Sequence, residues 1–458
     1  MPFNSFDDYY MSWRPSLNGQ TGPKYISLAR QLEKDIVSGT LLPGTKLPPQ
    51  RELADFLDIN VSTVARAFKL CSDRGLITGT VGSGTYVAYD VRTNIFERPD
   101  SAASKIIDLG SLTPESVSPD EAVSVIERMF KEPDTARLFQ YDHTDKFFHK
   151  NAAVRLLDRA GCRTDEDHIL FSGGAQNAIA AIMTGLFSPG SHIGTTQLVY
   201  PGLKSAAKLF GIHLTPLKQD SDGNITEEGI LYACKNDNIR ALYIMPDYQN
   251  PTTHTMPQEC RKMIADIARE KDLIVIEEGI NCLLSDRPPE PVHNMAPDNT
   301  IYVSSLSKTV LPSLRLAYIS APEKYYDALD NALYNINLAP SAILMELASR
   351  LIVSGGLEAI VDDRREGLRR RNEVVDDIMK GYDVRGNSRC INRWLVLPGN
   401  ISGSRFEQMA LEKGVYVYGS ERFAVGKEPP ENAARLGICV PDTLDELAEG
   451  LEILRSLL

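Results

Sequence analysis

No apolar run in this 458-residue chain approaches the roughly 20 residues that a bilayer-crossing helix needs. A membrane protein is therefore not expected. The opening Met1-Pro2-Phe3-Asn4-Ser5-Phe6-Asp7-Asp8 has neither a positive start nor an apolar stretch, so no secretory signal is expected either. Cysteine is scarce. Seven are scattered along the chain, an odd number, and no Cys-x-x-Cys occurs. This fits reduced thiols in a cytoplasmic protein, with no metal site expected. Basic residues are also short: 49 Lys and Arg face 61 Asp and Glu, a net charge of −12. Taken whole, that balance argues against nucleic acid as a partner. Its distribution softens the argument, because residues 21–89 carry eight basic and six acidic side chains, a net +2, leaving −14 for the rest. With 43% apolar and 24% charged residues, the chain can build a large core over two or three domains.

What the chain does have is concentrated around Lys308. The run Ser304-Ser305-Leu306-Ser307-Lys308 is followed by Arg315, seven residues on. A lysine that attacks a carbonyl cofactor needs such company. Hydroxyls and a guanidinium can hold a phosphate while the amine reaches an aldehyde. The cofactor implied is pyridoxal phosphate.

The N-terminal part reads differently. Ile26, Leu28, Leu32 and Ile36 recur at roughly helical spacing from Tyr25 to Ser38, and Gly39 and Pro43-Gly44 end the run. Arg51–Leu57 reads as a second helix and Asp58-Ile59-Asn60 as a tight turn. Ser62 or Thr63 is the expected cap of a third helix with Val64, Phe68 and Cys71 on its inner face. Two short helices across a tight turn make a helix-turn-helix, and Ser62, Thr63 and Arg66 lie where recognition helices meet base edges. Gly75–Val87, with Gly82-Ser83-Gly84 at its tip, reads as a hairpin wing. A small structural bundle with a hairpin is the alternative that the pattern alone leaves open.

Residues from Tyr89 to Lys105 lack a sustained apolar period and read as a linker. Beyond them, apolar strand-like runs alternate with helical ones: His168–Phe171, Ala175–Leu186, Leu242–Met245, Gln258–Lys271, Leu273–Ile276, Ile301–Val303 and Leu316–Ile319. This predicts a mostly parallel α/β sheet, whose ligands sit at the carboxyl ends of strands. The motifs fall there. Gly174-Ala175-Gln176 opens a helix whose amides can approach a phosphate. Tyr200 can stack on a planar ring, and Asn250 can donate to a ring oxygen. Glu277-Glu278 ends a strand and can keep a pyridine nitrogen protonated. Each of these alone reads more readily as an ordinary turn or a packing residue.

The ordered set is what carries weight. Pro43-Gly44-Thr45-Lys46-Leu47-Pro48, Arg51-Glu52-Leu53-Ala54, Ser62–Ala67 and Gly82-Ser83-Gly84-Thr85 resemble the GntR-type winged helix. Gly174-Ala175-Gln176, Tyr200, Asn250-Pro251, Glu278, Ser305, Lys308, Arg315 and Arg435 stand in the order found in fold-type I aminotransferases. Together they resemble the MocR subgroup of GntR regulators, essentially end to end.

The resemblance implies three segments: a winged-helix DNA-binding domain over 1–88, a linker over 89–105, and an aminotransferase-like domain over 106–458. The last is a mostly parallel sheet with helices on both faces, followed by a small C-terminal α+β subdomain. It also implies roles. Lys308 bonds the cofactor, and Gly174, Ala175, Gln176, Ser305 and Arg315 bind its phosphate. Tyr200 stacks on the ring, Asn250 meets its hydroxyl and Glu278 its nitrogen. Arg435 clamps an effector carboxylate, and Tyr141 reaches the phosphate of a partner subunit. Arg51, Ser62, Thr63, Arg66 and Gly84 touch DNA. Departures from the family pattern are Val61 for a basic residue, Lys204 for arginine, Glu278 for aspartate and Ile280 for tyrosine.

The expected protein is thus a cytoplasmic, homodimeric regulator that senses an amino compound or pyridoxal phosphate itself. The alternatives are a working aminotransferase with an inherited DNA-binding head, and a regulator whose body only dimerises.

Overall fold

The computed structural model describes residues 11–17, 22–80, 84–89, 106–115, 120–139, 146–285, 287–399 and 401–458. Three helices and a hairpin form the N-terminal unit. Helix α1 (Lys24–Val37) buries Leu28, Leu32 and Ile36, the spacing seen in the sequence. Helix α2 (Gln50–Leu57) ends at Asp58, whose φ of 50° turns the chain sharply. Helix α3 (Val61–Asp73) buries Val64, Ala67, Phe68 and Cys71. The expected cap on α3 is corrected. Asn60, not Ser62 or Thr63, caps it, its side chain accepting from the Ser62 amide at 3.0 Å. A short amide side chain takes the place of the expected hydroxyl, and Ser62 and Thr63 lie inside the first turn. Strands β1 (Ile77–Thr80) and β2 (Gly84–Val87) pair antiparallel, with Thr80 opposite Gly84. Trp13 joins this core, its indole donating to Asp35 at 2.8 Å.

The larger unit begins at β3 (Ile107–Asp108) and is organised by a seven-stranded sheet. Its strands are β4 (Ile169–Ser172), β5 (His192–Thr195), β6 (His213–Pro216), β7 (Ile239–Ile244), β8 (Ile274–Glu278), β9 (Thr300–Ser305) and β10 (Ala317–Ser320), in the order β4-β10-β9-β8-β7-β5-β6. All neighbours are parallel except β10, which is antiparallel to both β4 and β9. Strand β9 is buried at every residue, as a sheet covered on both faces requires. Alternation sorts the faces. Ile276, Ile301 and Val303 pack with helix Ala175–Leu186, whereas Val275, Leu242 and Ile244 pack with helix Gln258–Lys271. Both helices have the bounds the sequence suggested.

A smaller sheet follows, built of β11 (Val384–Arg385), β12 (Asn392–Val396), β14 (Tyr418–Gly419) and β15 (Ala433–Gly437) in the order β11-β12-β15-β14. Strand β13 (Val415–Tyr416) pairs in parallel with β3, tying the first residues of the body to this subdomain. Among the described residues, no helix is long and apolar enough to cross a membrane.

Candidate functional site

Five strand ends of the large sheet deliver the pocket. After β4, Gly174 takes a φ of 102°, a value favouring glycine, and opens helix Ala175–Leu186. The Ala175 and Gln176 amides have no carbonyl one turn back to bond, so they face outward with the positive end of the helix. The Arg315 guanidinium lies over this end. Its Nη2 is 2.9 Å from where a Gly174 Cβ would stand, and it donates to the Gly173 carbonyl at 3.4 Å. Arg315 is exposed, with a φ of 45°. Gln176 donates to the Gly202 carbonyl at 2.9 Å, while its Oε1 is buried without a partner.

After β5, Tyr200 precedes helix Pro201–Phe210. A Cβ on Gly202 would fall 2.2 Å from the Tyr200 ring, so this glycine makes room for it. Burial pushes the Tyr200 hydroxyl up to about 12; Glu278 adds to the rise, and Arg435 and Arg315 oppose it. After β7, Asn250 accepts from Arg435 Nη1 at 2.8 Å.

At the end of β8 the two glutamates part. Glu277 accepts from the Val292 and His293 amides at 3.0 and 2.8 Å, capping a short helix on one side of the sheet. Glu278 faces the other side and accepts from the Tyr243 hydroxyl. Burial raises both carboxyls to about 7; for Glu278, the Tyr243 bond and Lys308 pull in the opposite direction.

Beyond β9, the Ser307 amide donates to Ser305 Oγ at 3.3 Å, and Ser307 Oγ is buried without a partner. Lys308 Nζ donates to the Leu112 carbonyl. Desolvation, with Arg435 and Arg315 nearby, lowers Lys308 to about 8. Arg435 comes from β15 in the smaller sheet. It is buried, donates to Gly110 O at 2.5 Å, and lies 4.9 and 4.8 Å from the Tyr418 and Phe423 ring centres.

The structure thus brings together Gly174, Ala175, Gln176, Tyr200, Asn250, Glu278, Ser305, Lys308, Arg315 and Arg435. These residues fit a planar phosphate-bearing aldehyde. A glycine-opened helix end and a guanidinium suit the phosphate, a partly neutral amine suits the aldehyde, and a buried carboxyl suits a ring nitrogen. The orphaned Gln176 Oε1 and Ser307 Oγ leave two polar atoms for such a guest. Tyr141 lies outside the described residues. Lys204, at one departure from the family, is buried and donates to the Arg422 carbonyl at 3.1 Å. Three contributors were not read from sequence: Tyr243, Gly202 and the segment carrying Gly110 and Leu112. Only Tyr243 left a trace, a hydroxyl inside an aliphatic strand that burial obliges to find a partner.

In the N-terminal unit, Arg51, Ser62 and Arg66 are exposed and Thr63 is half-buried. The Arg66 guanidinium lies 4.1 Å over the Tyr25 ring. Gly84 has a φ of 121°, and Lys46 Cε lies 2.9 Å from where its Cβ would be. The wing tip, Val81–Ser83, lies outside the described residues.

Two family models match the chain: bacterial regulatory proteins of the gntR family over 24–87, and aminotransferase class I and II over 104–451. An uncharacterized HTH-type transcriptional regulator of Bacillus subtilis, YdeF, is 46% identical over 459 residues, covering 100% of this chain and 99% of that protein. The HTH-type pyridoxine biosynthesis transcriptional regulator PdxR of Corynebacterium glutamicum is 22% identical over 361 residues, covering 77% and 78%. Among solved structures, an archaeal alanine:glyoxylate aminotransferase superposes with a TM-score of 0.70 at 19% identity, covering 78% of this chain and 91% of its own. LysN, the alpha-aminoadipate aminotransferase of Thermus thermophilus, gives 0.68 at 23%, covering 77% and 92%. The larger unit has the fold-type I aminotransferase fold, which implies a pyridoxal-phosphate-type cofactor.

Proposed function

The chain belongs to the MocR-type regulators, a GntR head on an aminotransferase class I and II body, and from that premise we propose that it is a DNA-binding transcription regulator whose body holds pyridoxal phosphate at Lys308. One observation carries the reading. Lys308 follows β9, whose neighbour β8 ends at the buried Glu278 opposite Val303, and Arg315 from the same loop lies over the glycine-opened helix end. When bound, the cofactor supplies an aldehyde and an electron sink for amino compounds.

The protein's residues divide the remaining work. The Ala175 and Gln176 amides, Ser305 and Arg315 hold a phosphate. Desolvation leaves part of Lys308 neutral at physiological pH, and the neutral amine is the nucleophile. Tyr200 packs against the ring. Asn250 both meets a ring hydroxyl and orients Arg435, whose fork suits a carboxylate. Glu278 holds a proton at the ring nitrogen, with Tyr243 fixing its second oxygen. In the head, Arg51, Ser62, Thr63, Arg66 and Gly84 meet DNA.

We further assign the effector as an amino compound or the cofactor itself. The name of PdxR, which refers to pyridoxine biosynthesis, supports the second. A ligand of either kind must bind two states of the body unequally to move the heads. The family resemblance supports a homodimer with reduced cysteines in the cytoplasm.

The test is the visible spectrum of the purified protein titrated with pyridoxal phosphate. A visible band in the wild type that is absent from Lys308→Ala is expected; an identical band in both proteins overturns the assignment. The second reading, a working aminotransferase, is favoured by the completeness of the pocket. Turnover of a common amino acid near the median enzyme rate of about 10 per second would establish it over the regulator.

A further inference from the structure

The two cations that face the ligand also hold a piece of backbone. Arg435 donates to the Gly110 carbonyl at 2.5 Å, and Lys308 donates to the Leu112 carbonyl. Both carbonyls belong to residues 106–115, the first described residues of the body; the expected linker over 89–105 lies, after Tyr89, outside the described residues. This stretch is anchored on its other sides. Ile107 and Leu109 are buried in the core of the smaller subdomain. The Leu109 amide donates to Tyr416 O at 2.8 Å, and Gly437 donates to Leu109 O at 2.7 Å. Asp108 Oδ1 accepts from the Gly110 and Ser111 amides at 2.9 and 2.8 Å, bending the chain so that both carbonyls point at the cations.

The approach is close. A Cβ on Gly110 would stand 3.0 Å from the Tyr416 ring and 3.1 Å from that of Tyr418, and one on Gly437 would stand 2.0 Å from Ser111 O. Glycine at both positions lets the turn press onto the strand that carries Arg435.

We propose that residues 108–112 are a latch that competes with the cofactor for Lys308. This rests on the cofactor reading above. A cofactor bonded to Lys308 takes the nitrogen that donates to Leu112, whereas Arg435 keeps its buried Nε without a partner and can receive a carboxylate while still holding Gly110. Bonding at Lys308 therefore releases the Leu112 carbonyl of this stretch, while Arg435 keeps Gly110. No new contact with the head is required. The pocket reports its occupancy through the covalent chain, because the Lys308 nitrogen cannot serve both the cofactor and the Leu112 carbonyl.

The experiment follows hydrogen exchange in residues 106–115 of the full-length protein, with and without pyridoxal phosphate, alongside the visible band. In the wild type the cofactor is expected to speed exchange at Leu109–Leu112 by about tenfold, roughly the effect of losing one charge-assisted hydrogen bond. Amides of β9 should keep their rate. Asp108→Ala, which removes the acceptor of the Gly110 and Ser111 amides, should show the faster exchange without cofactor and bind pyridoxal phosphate several-fold tighter. If that variant does not fold, Asp108→Asn, which keeps one acceptor, carries the same comparison with smaller shifts in both measures. A normal visible band with unchanged or slower exchange at Leu109–Leu112 overturns the latch and leaves the cofactor reading standing. The absence of any band in the wild type overturns both.

Discussion

The two candidate sites of this chain are built on opposite principles. In the head, Arg51, Ser62 and Arg66 stand in water on short helices, with a single stacking contact from Tyr25 to steady Arg66. In the body, Asn250, Glu278 and Arg435 are withdrawn from solvent, at 7, 2 and 3% exposure. Each buried group has a partner: Tyr243 for Glu278, and Asn250, Gly110 and two rings for Arg435. Surface charges meet a polyanion while still hydrated and are screened by salt. Buried charges have already lost their water, so each must be held by the protein before a ligand arrives. Changes in the head should therefore subtract contacts, whereas changes in the body should also strand the partner left behind.

The sharpest break between the two is Lys308→Ala. We expect the visible band of bound pyridoxal phosphate to vanish completely, while binding of bare DNA by the head persists at low salt. Absorbance and fluorescence anisotropy on one preparation check both halves.

Next in size is the double change Arg51→Ala with Arg66→Ala. Removing a specific contact to a base should cost about 1–3 kcal/mol. Removing a phosphate contact should flatten the slope of log affinity against log salt by roughly 0.9. The cofactor band should be untouched, and unchanged DNA affinity would exclude both arginines from the interface.

The adjacent glutamates sharpen the comparison within the body. Both carboxyls sit at about 7 in the folded protein, above their ordinary 4.5. Between those values the folded state binds more protons than the unfolded, so stability falls as pH rises from about 4.5 to 7. Glu278→Gln should flatten that fall and shift the pH titration of the cofactor band. Tyr243→Phe should move the Glu278 titration upward, since the hydroxyl favours the ionised form. Glu277→Gln should leave the band alone but cost about 1–3 kcal/mol of stability, because an amide group then faces two backbone donors. Denaturation midpoints across pH separate these outcomes.

The smallest effect belongs to Tyr25→Ala. It should weaken DNA binding by about 0.5–1 kcal/mol, the worth of an exposed cation–π contact, and less than removing Arg66 itself.

Legibility in the sequence followed the same divide. The inner face of α3 (Val64, Phe68, Cys71) and the helices Ala175–Leu186 and Gln258–Lys271 were readable because periodicity is local. The alternation that separates Glu277 from Glu278 was readable for the same reason. The cap on α3 was misassigned because Asn60, Ser62 and Thr63 are all good caps, and only backbone geometry chooses among them. The reversal of β10 left no mark, since a strand buried on both faces has the same composition in either direction. The holders of Arg435 were hidden by distance along the chain, with Gly110 325 residues away and Asn250 185 away. Nothing in the composition of Asp108-Leu109-Gly110-Ser111-Leu112 announces that its carbonyls meet two cations.

The parting of the glutamates has a consequence for how this chain can change over time. Side chains on β8 point alternately to opposite faces, with Val275 and Glu277 on one and Ile276 and Glu278 on the other. A substitution at either position leaves its neighbour's duty intact. Loss or gain of one residue within β8 does not, because a single-step slip moves every side chain to the other face. The carboxylate that anchors helix Val292–Met295 and the one beside Tyr243 would then exchange surroundings. Strand β8 can drift in sequence but not in length, so sequences that diverge from this one should show replacements here and no gaps.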